Sequence, residues 1–167
     1  AGEYFSDEKR AEFYGDVRFE DADTYLEADS VTYFRETGDT RAYGRVFIRR
    51  KGDDEPTAAT DTTARTYLFG RYAENEQDRR HSLVRGNALL VQIRTDSTGA
   101  PEDTLFVRAH RLEASRTDSL RRLIAVDTVR IWQRDIAAVA DSAVYDRIAQ
   151  GDTLRREETR LYRDPVA

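Results

Sequence analysis

A chain of 167 residues, 35% charged and 39% apolar, fits one domain that buries roughly 70% of its unfolded surface; its periodically spread Val, Ile, Leu, Phe and Tyr exclude a disordered segment. A net charge of −5 with only two lysines, Lys9 and Lys51, offers no basic stripe, so no nucleic-acid partner is expected. The absence of Cys excludes disulfide, zinc-thiolate and thiol chemistry, and no run approaches the ~18 apolar residues of a membrane-spanning helix.

In chain order, Ala1 to Arg10 is a polar lead, read as frayed or as a short helix. A recurring phrase follows, with a small or apolar residue two places before a Gly, a β-branched or small one two places after it, and a large apolar one four places after. It first reads Phe13-Tyr14-Gly15-Asp16-Val17-Arg18-Phe19. A second half follows, Leu26-Glu27-Ala28-Asp29-Ser30-Val31-Thr32-Tyr33, and then the loop Glu36-Thr37-Gly38-Asp39. The phrase returns as Ala42-Tyr43-Gly44-Arg45-Val46-Phe47-Ile48, and the turn residues from Lys51 to Pro56 follow it. Its second half is expected in eroded form around Ala59-Thr60-Asp61-Thr62-Thr63-Ala64, and Tyr72 to Arg80 is expected to be polar and exposed.

The third copy is Val84-Arg85-Gly86-Asn87-Ala88-Leu89-Leu90, a loop from Thr95 to Pro101, and the half from Leu105 to Ala114 with Ala109-His110 at its centre. The fourth is Ala125-Val126-Asp127-Thr128-Val129-Arg130-Ile131, with Asp in the Gly slot, followed by Ala138 to Tyr145 around Ala140-Asp141. Residues 135–148 also fit a helix capped by Asp135. The strand reading is preferred because Ala falls 13 residues after the phrase centre in both the first copy (15 to 28) and the fourth (127 to 140). A partial copy, Tyr162-Arg163-Asp164-Pro165-Val166, closes the sequence, with Asp164 in the Gly slot.

The Gly phrases alternate as strands with one buried face: Val17 and Phe19, Val46 and Ile48, Ala88 and Leu90, Val129 and Ile131. In the second halves the alternation breaks. Leu26 and Ala28 share a face, yet Val31 and Tyr33 have the opposite parity, and Ala109/Leu112 and Ala140/Ala143 repeat the break. A bulge or corner at the Ala-Asp position restores both halves to one interior. Repetition of that break predicts stacked, bent hairpins.

The pattern apolar-x-Gly-x-Val followed by Leu-x-Ala-Asp-x-apolar-x-Tyr, carried by Tyr14 to Val17 and Leu26 to Tyr33, resembles the repeat of the organic-solvent-tolerance (OstA, LptA-like) family and covers nearly the whole chain. Asp127, Asp164, His110 and the copy near Asp61 depart from it. The resemblance implies an all-β fold, an antiparallel β-jelly-roll or β-taco, in which two sheets form a V over an apolar slot. It divides the chain into the lead 1–10 and a single domain 11–167 cut from a longer protein, an expectation that the absence of Met joins. It also implies a non-enzymatic lipid-binding and transport domain of the periplasm or outer membrane, signal peptide removed, that contributes to outer-membrane assembly. The partners implied are lipopolysaccharide or another acylated lipid, and outer-membrane assembly proteins or the chain itself, joined end to end by strand pairing. The slot would be lined by Val17, Phe19, Val31, Tyr33, Val46, Ile48, Leu90, Leu105, Val107, Leu112, Val129 and Ile131. Those positions also serve as the ordinary core of a β-sandwich.

Other residues have plainer readings. His81 and His110 belong to different units and show no metal spacing. Asp29, Asp61 and Asp141 recur at corners, where hydrogen bonding to the local backbone explains them better than acid–base catalysis. The serines lack a nucleophile elbow, and the glycines precede strands rather than a phosphate-binding helix. No catalytic residue, metal site or cofactor is assigned. Trp132 is expected outward or at an edge, and the pairs Arg49-Arg50, Arg79-Arg80, Arg121-Arg122 and Arg155-Arg156 in solvated turns, with bidentate pairing to lipid phosphates at the groove mouth as the alternative. The alternative function is a structural β-repeat module that binds protein partners by edge-strand pairing; a carbohydrate-active β-sandwich is a remote third.

Overall fold

The computed structural model describes residues 2–7, 9–20, 24–50, 63–96, 98, 100–150 and 153–163. Ten strands account for nearly all of them, and no helix occurs among them. The strands are β1 (Gly2–Phe5), β2 (Arg10–Glu20), β3 (Thr24–Phe34), β4 (Thr40–Arg50) and β5 (Thr63–Glu76). They continue as β6 (His81–Thr95), β7 (Pro101–Arg116), β8 (Leu120–Gln133), β9 (Ile136–Gln150) and β10 (Thr153–Tyr162). All lie in one antiparallel sheet in sequence order, so each strand pairs only with the strands before and after it in the chain. The two walls expected from the sequence are therefore the two halves of one creased sheet.

The crease follows from a repeated bulge. Between β2 and β3 the register jumps from Tyr14↔Ser30 to Val17↔Ala28, so β2 places two residues opposite one. The same two-for-one count falls at residues 44–45 of β4, 86–87 of β6 and 127–128 of β8. Gly15, Asp16, Gly44, Gly86, Asn87, Asp127 and Thr128 all have positive φ there. Each bulge bends its strand and raises its twist, and the register aligns all four in one line across the sheet. The extra residue sits in the Gly-phrase strands, not at Ala-Asp as the parity argument expected. The Ala-Asp strands do cross the crease with inward residues three apart, as Ala28/Val31, Ala109/Leu112 and Ala140/Ala143, each member buried.

Other expectations are corrected. Residues 2–5 form an edge strand paired with 10–13 of β2, neither frayed nor helical. The second copy crosses the crease at Gly70-Arg71; residues 59–62 lie outside the described residues, and Thr63 and Ala64 begin β5. Tyr72 to Glu76 belongs to β5, with only 77–80 in the turn. The rival helix at 135–148 is strand β9. Tyr162 lies opposite Ser142 as Tyr14 lies opposite Ser30, which puts Arg163, not Asp164, in the last Gly slot; residues 164–167 lie outside the described residues.

Candidate binding face

Cross-strand partners share a face of a sheet, so the register assigns every side chain to the inside or the outside. On one wall the inner face carries a row that runs across eight strands: Phe19, Leu26, Ile48, Leu68, Leu90, Val107, Ile131 and Ala138. On the other wall the matching row is Phe13, Val31, Ala42, Ala73, Val84, Leu112, Ala125, Ala143 and Leu161. One wall is mostly Leu and Ile, the other mostly Ala and Val. Large side chains on one wall facing small ones on the other let the two approach closely along the middle of the stack.

All twelve residues named from the sequence fall on this inner face. Val31, Val46, Leu90, Val107, Leu112 and Val129 are buried, and Val17, Ile48, Leu105 and Ile131 pack half-buried against them. Phe19 and Tyr33 differ: they are 49% and 38% exposed. Sequence reasoning left out Phe13, Leu26, Leu68, Val84 and Leu161. Phe13 and Leu26 stood in the quoted phrases, and alternation around Val17 and Ala28 carries the signal for both. The inner face is thus packed in its middle and open at its ends, through Phe13 and Phe19 on β2 and Leu161 on β10.

The ends also carry open strand edges. Strand β1 covers β2 only from Arg10 to Phe13. The edge of Tyr14 to Glu20, and the far side of β10, have no strand partner among the described residues. Such edges accept a strand from another chain.

Charged groups at the crease do structural work. Asp29 accepts a hydrogen bond from the Arg45 backbone N–H at 3.1 Å and from Arg45 Nε at 2.8 Å, and Arg45 Nη2 reaches Asp16 at 3.0 Å. The Arg45 hydrogen bond holds the Asp29 carboxyl below its ordinary value. Asp29 therefore ties the bulge of the next strand, 16 residues on, rather than its own local backbone as expected. A shallow depression of about 330 Å³ lies around these groups, lined by Val17, Arg18, Glu27 and Ala28 as well. Asp61 lies outside the described residues, and Asp141 is exposed.

On the outer face, Asp146 is 5% exposed and is held by Arg122 (Nε to Oδ1, 2.6 Å; Nη2 to Oδ2, 3.0 Å) and by Arg160. Hydrogen bonding from Arg122 lowers its pKa. Arg122 therefore sits in a strand, and so do Arg49, Arg50, Arg121 and Arg156; only Arg79-Arg80 occupies a turn as expected. Burial, with a hydrogen bond to Glu74 behind it, pushes the Tyr72 hydroxyl up to about 12. His81 lies 3.5 Å from Glu76 and 3.9 Å from Glu113, and no cluster of three or more metal-binding side chains occurs among the described residues. Trp132 points outward, 39% exposed.

Among solved structures the chain is similar to LptH, the LptA-homologous periplasmic component of the lipopolysaccharide transport device of Pseudomonas aeruginosa. The TM-score is 0.56 at 15% identity, over 85% of this chain and 95% of that one. The chain has an LptA-like fold. No family model and no curated protein sequence matches it. The all-β expectation holds, and the LptA-like likeness in structure agrees with the fold that the repeat resembled.

Proposed function

We propose that the chain is a non-enzymatic lipid carrier of the periplasm. It holds the acyl chains of a lipopolysaccharide-type amphiphile against its inner face and contributes to outer-membrane assembly. The observation that carries this reading is the apolar row from Phe19 to Ala138, continuous across the sheet and uncovered at the β2 end; its packed middle receives an acyl chain as the two walls part. Each CH₂ laid on such a row gains about 0.8 kcal/mol, and an open end lets a chain enter without crossing a closed rim. The twelve inner residues named from the sequence are the proposed lining, with Phe13 added as the entry residue beside Phe19. The likeness to LptH supports the reading at the level of fold.

The test is organic-solvent extraction of protein purified from a Gram-negative host, followed by lipid mass spectrometry. Acylated glycolipid is expected with the native chain and its loss with Phe13→Asp/Phe19→Asp, both at exposed positions, with the variant's fold checked by circular dichroism. A clean extract from folded native protein overturns the proposal. The second reading, a module that binds protein partners or itself by edge pairing, rests on the uncovered edges of β2 and β10. It predicts the clean extract together with concentration-dependent oligomers.

A further inference from the structure

The outside of the Leu-rich wall is also apolar. Behind the inner row lies Phe47, Phe69, Leu89, Arg108, Arg130 and Val139, each paired to the next across the sheet. One step further from the crease come Tyr25, Arg49, Tyr67, Val91, Phe106 and Trp132. At about 4.8 Å per strand, this second row spans roughly 24 Å from β3 to β8. The rings cluster: Phe47 lies 5.2 Å from Phe69 and 6.2 Å from Tyr25 between centroids, and Arg49 sits 5.0 Å over Tyr25. Phe69, Phe106 and Trp132 remain 39% exposed, and Val139 is 69% exposed. A sheet with one buried face normally turns polar residues outward; here six aromatic rings face solvent.

The charge on this face selects its partner. The chain as a whole is acidic, at −5, but this wall's outer rows hold Arg18, Arg49, Arg65, Arg108 and Arg130 against Glu20 and Glu27. The two glutamates already face Arg49 and Arg18, at 4.0 and 3.5 Å. Among the described residues, the outer side of the other wall offers a second copy no matching anionic face, because it pairs its own charges, Arg41 with Glu74 and Arg111 with Glu113, both at 2.9 Å. Tyr and Trp rings that bury an apolar body and leave a polar tip wet, set among arginines, suit the headgroup layer of an anionic bilayer.

We infer that this outer wall docks on an anionic membrane surface, with the rings at headgroup depth and the arginines on lipid phosphates. The inference stands apart from lipid carriage by the inner face. Trp132 is the chain's only tryptophan, so it reports on this face directly. The experiment is vesicle co-sedimentation with tryptophan emission, comparing pure phosphatidylcholine with phosphatidylcholine containing phosphatidylglycerol, some of it brominated in the acyl chain. Expected results are preferential sedimentation with anionic vesicles, a blue shift of Trp132, and quenching by the brominated lipid. Arg108→Gln/Arg130→Gln, both at exposed positions, should weaken binding to anionic vesicles about 25-fold while co-purified lipid stays unchanged. Phe13→Asp/Phe19→Asp should do the reverse. Equal binding to neutral and anionic vesicles, an unmoved Trp132 spectrum, or self-association that the Arg variant abolishes would each overturn the inference.

Discussion

Gly44→Ala tests the crease. Gly44 has φ +96, a region where an L-residue pays about 1–2 kcal/mol. A Cβ at this position would lie 2.1 Å from Asp29 Oδ2 and 2.5 Å from Asp29 Cβ. The second distance matters more. A flexible carboxylate end can swing aside, but the Asp29 Cβ moves only with the backbone of β3, so the clash adds an overpacking cost of about 1–3 kcal/mol. The total expected loss is about 2–5 kcal/mol. Gly15 is the internal control, with φ +79 and nothing within 4 Å of a built Cβ. Gly15→Ala should therefore cost only the backbone component, about 1–2 kcal/mol. Urea unfolding of both variants measures the difference at constant m-value. Asp29→Gly should recover part of the Gly44→Ala loss, because it removes the Cβ that is struck. If Gly15→Ala and Gly44→Ala prove equally destabilising, the explanation of the Ala-Asp/Gly pairing by close approach is wrong.

Three further outcomes follow from the packing and charges. Gly70→Ala would place its Cβ 2.6 Å from Val84 Cγ1 on the inner face, so a loss of about 1–3 kcal/mol is expected, and Val84→Ala in the same chain should offset part of it in urea titrations. Leu112→Ala removes a side chain that is 2% exposed and should lower stability by about 2–5 kcal/mol, read from the same titrations. Hydrogen bonds and nearby arginines lower the pKa values of Asp29, Glu74, Asp103 and Asp146 from their ordinary values. A depressed carboxylate adds stability that is present above its unfolded pKa and lost as pH falls through its folded one. The urea midpoint should thus hold steady above about pH 5 and drop below about pH 4, with a shallower drop in Asp146→Asn.

The repeat made the architecture legible because backbone geometry forced it onto particular residues. Gly15, Gly44 and Gly86 mark bulges that need positive φ, and Ala28, Ala109 and Ala140 mark corners that admit only a small inward side chain. Two features escaped. The location of the extra residue is a property of a strand pair, and one strand's parity break looks the same whether it or its neighbour carries the count. The fourth-slot residue Asp127 hinted at the answer, since Asp tolerates positive φ where most residues do not. The β5 crossing was missed because Gly70-Arg71 replaces Ala-Asp: Gly70 keeps the small inward residue, but Arg71 reverses the charge that marked the other copies. Alternation places Val17, Phe19, Val46, Ile48, Val129 and Ile131 on one face, the lining across the crease came with the repeat's resemblance, and the packed middle and open ends depend on which strands have neighbours.

Alternation concealed the other apolar face for a related reason. Period two in Val46-Phe47-Ile48 and Leu105-Phe106-Val107 reads as inward residues separated by outward ones, and the outward members Phe47, Phe69, Leu89, Val91, Phe106 and Trp132 are individually unremarkable surface hydrophobics. Only the register shows that they stand side by side on five consecutive strands, β4 to β8. An isolated exposed ring needs no explanation, but a contiguous patch does. The inner face cannot supply one, because the sheet itself lies between them. A wall only one sheet thick with both surfaces apolar is stable in water when each surface meets a different partner. The ion pairs Asp29 with Arg45 at the crease and Asp146 with Arg122 on the opposite wall hold those charges outside both apolar rows.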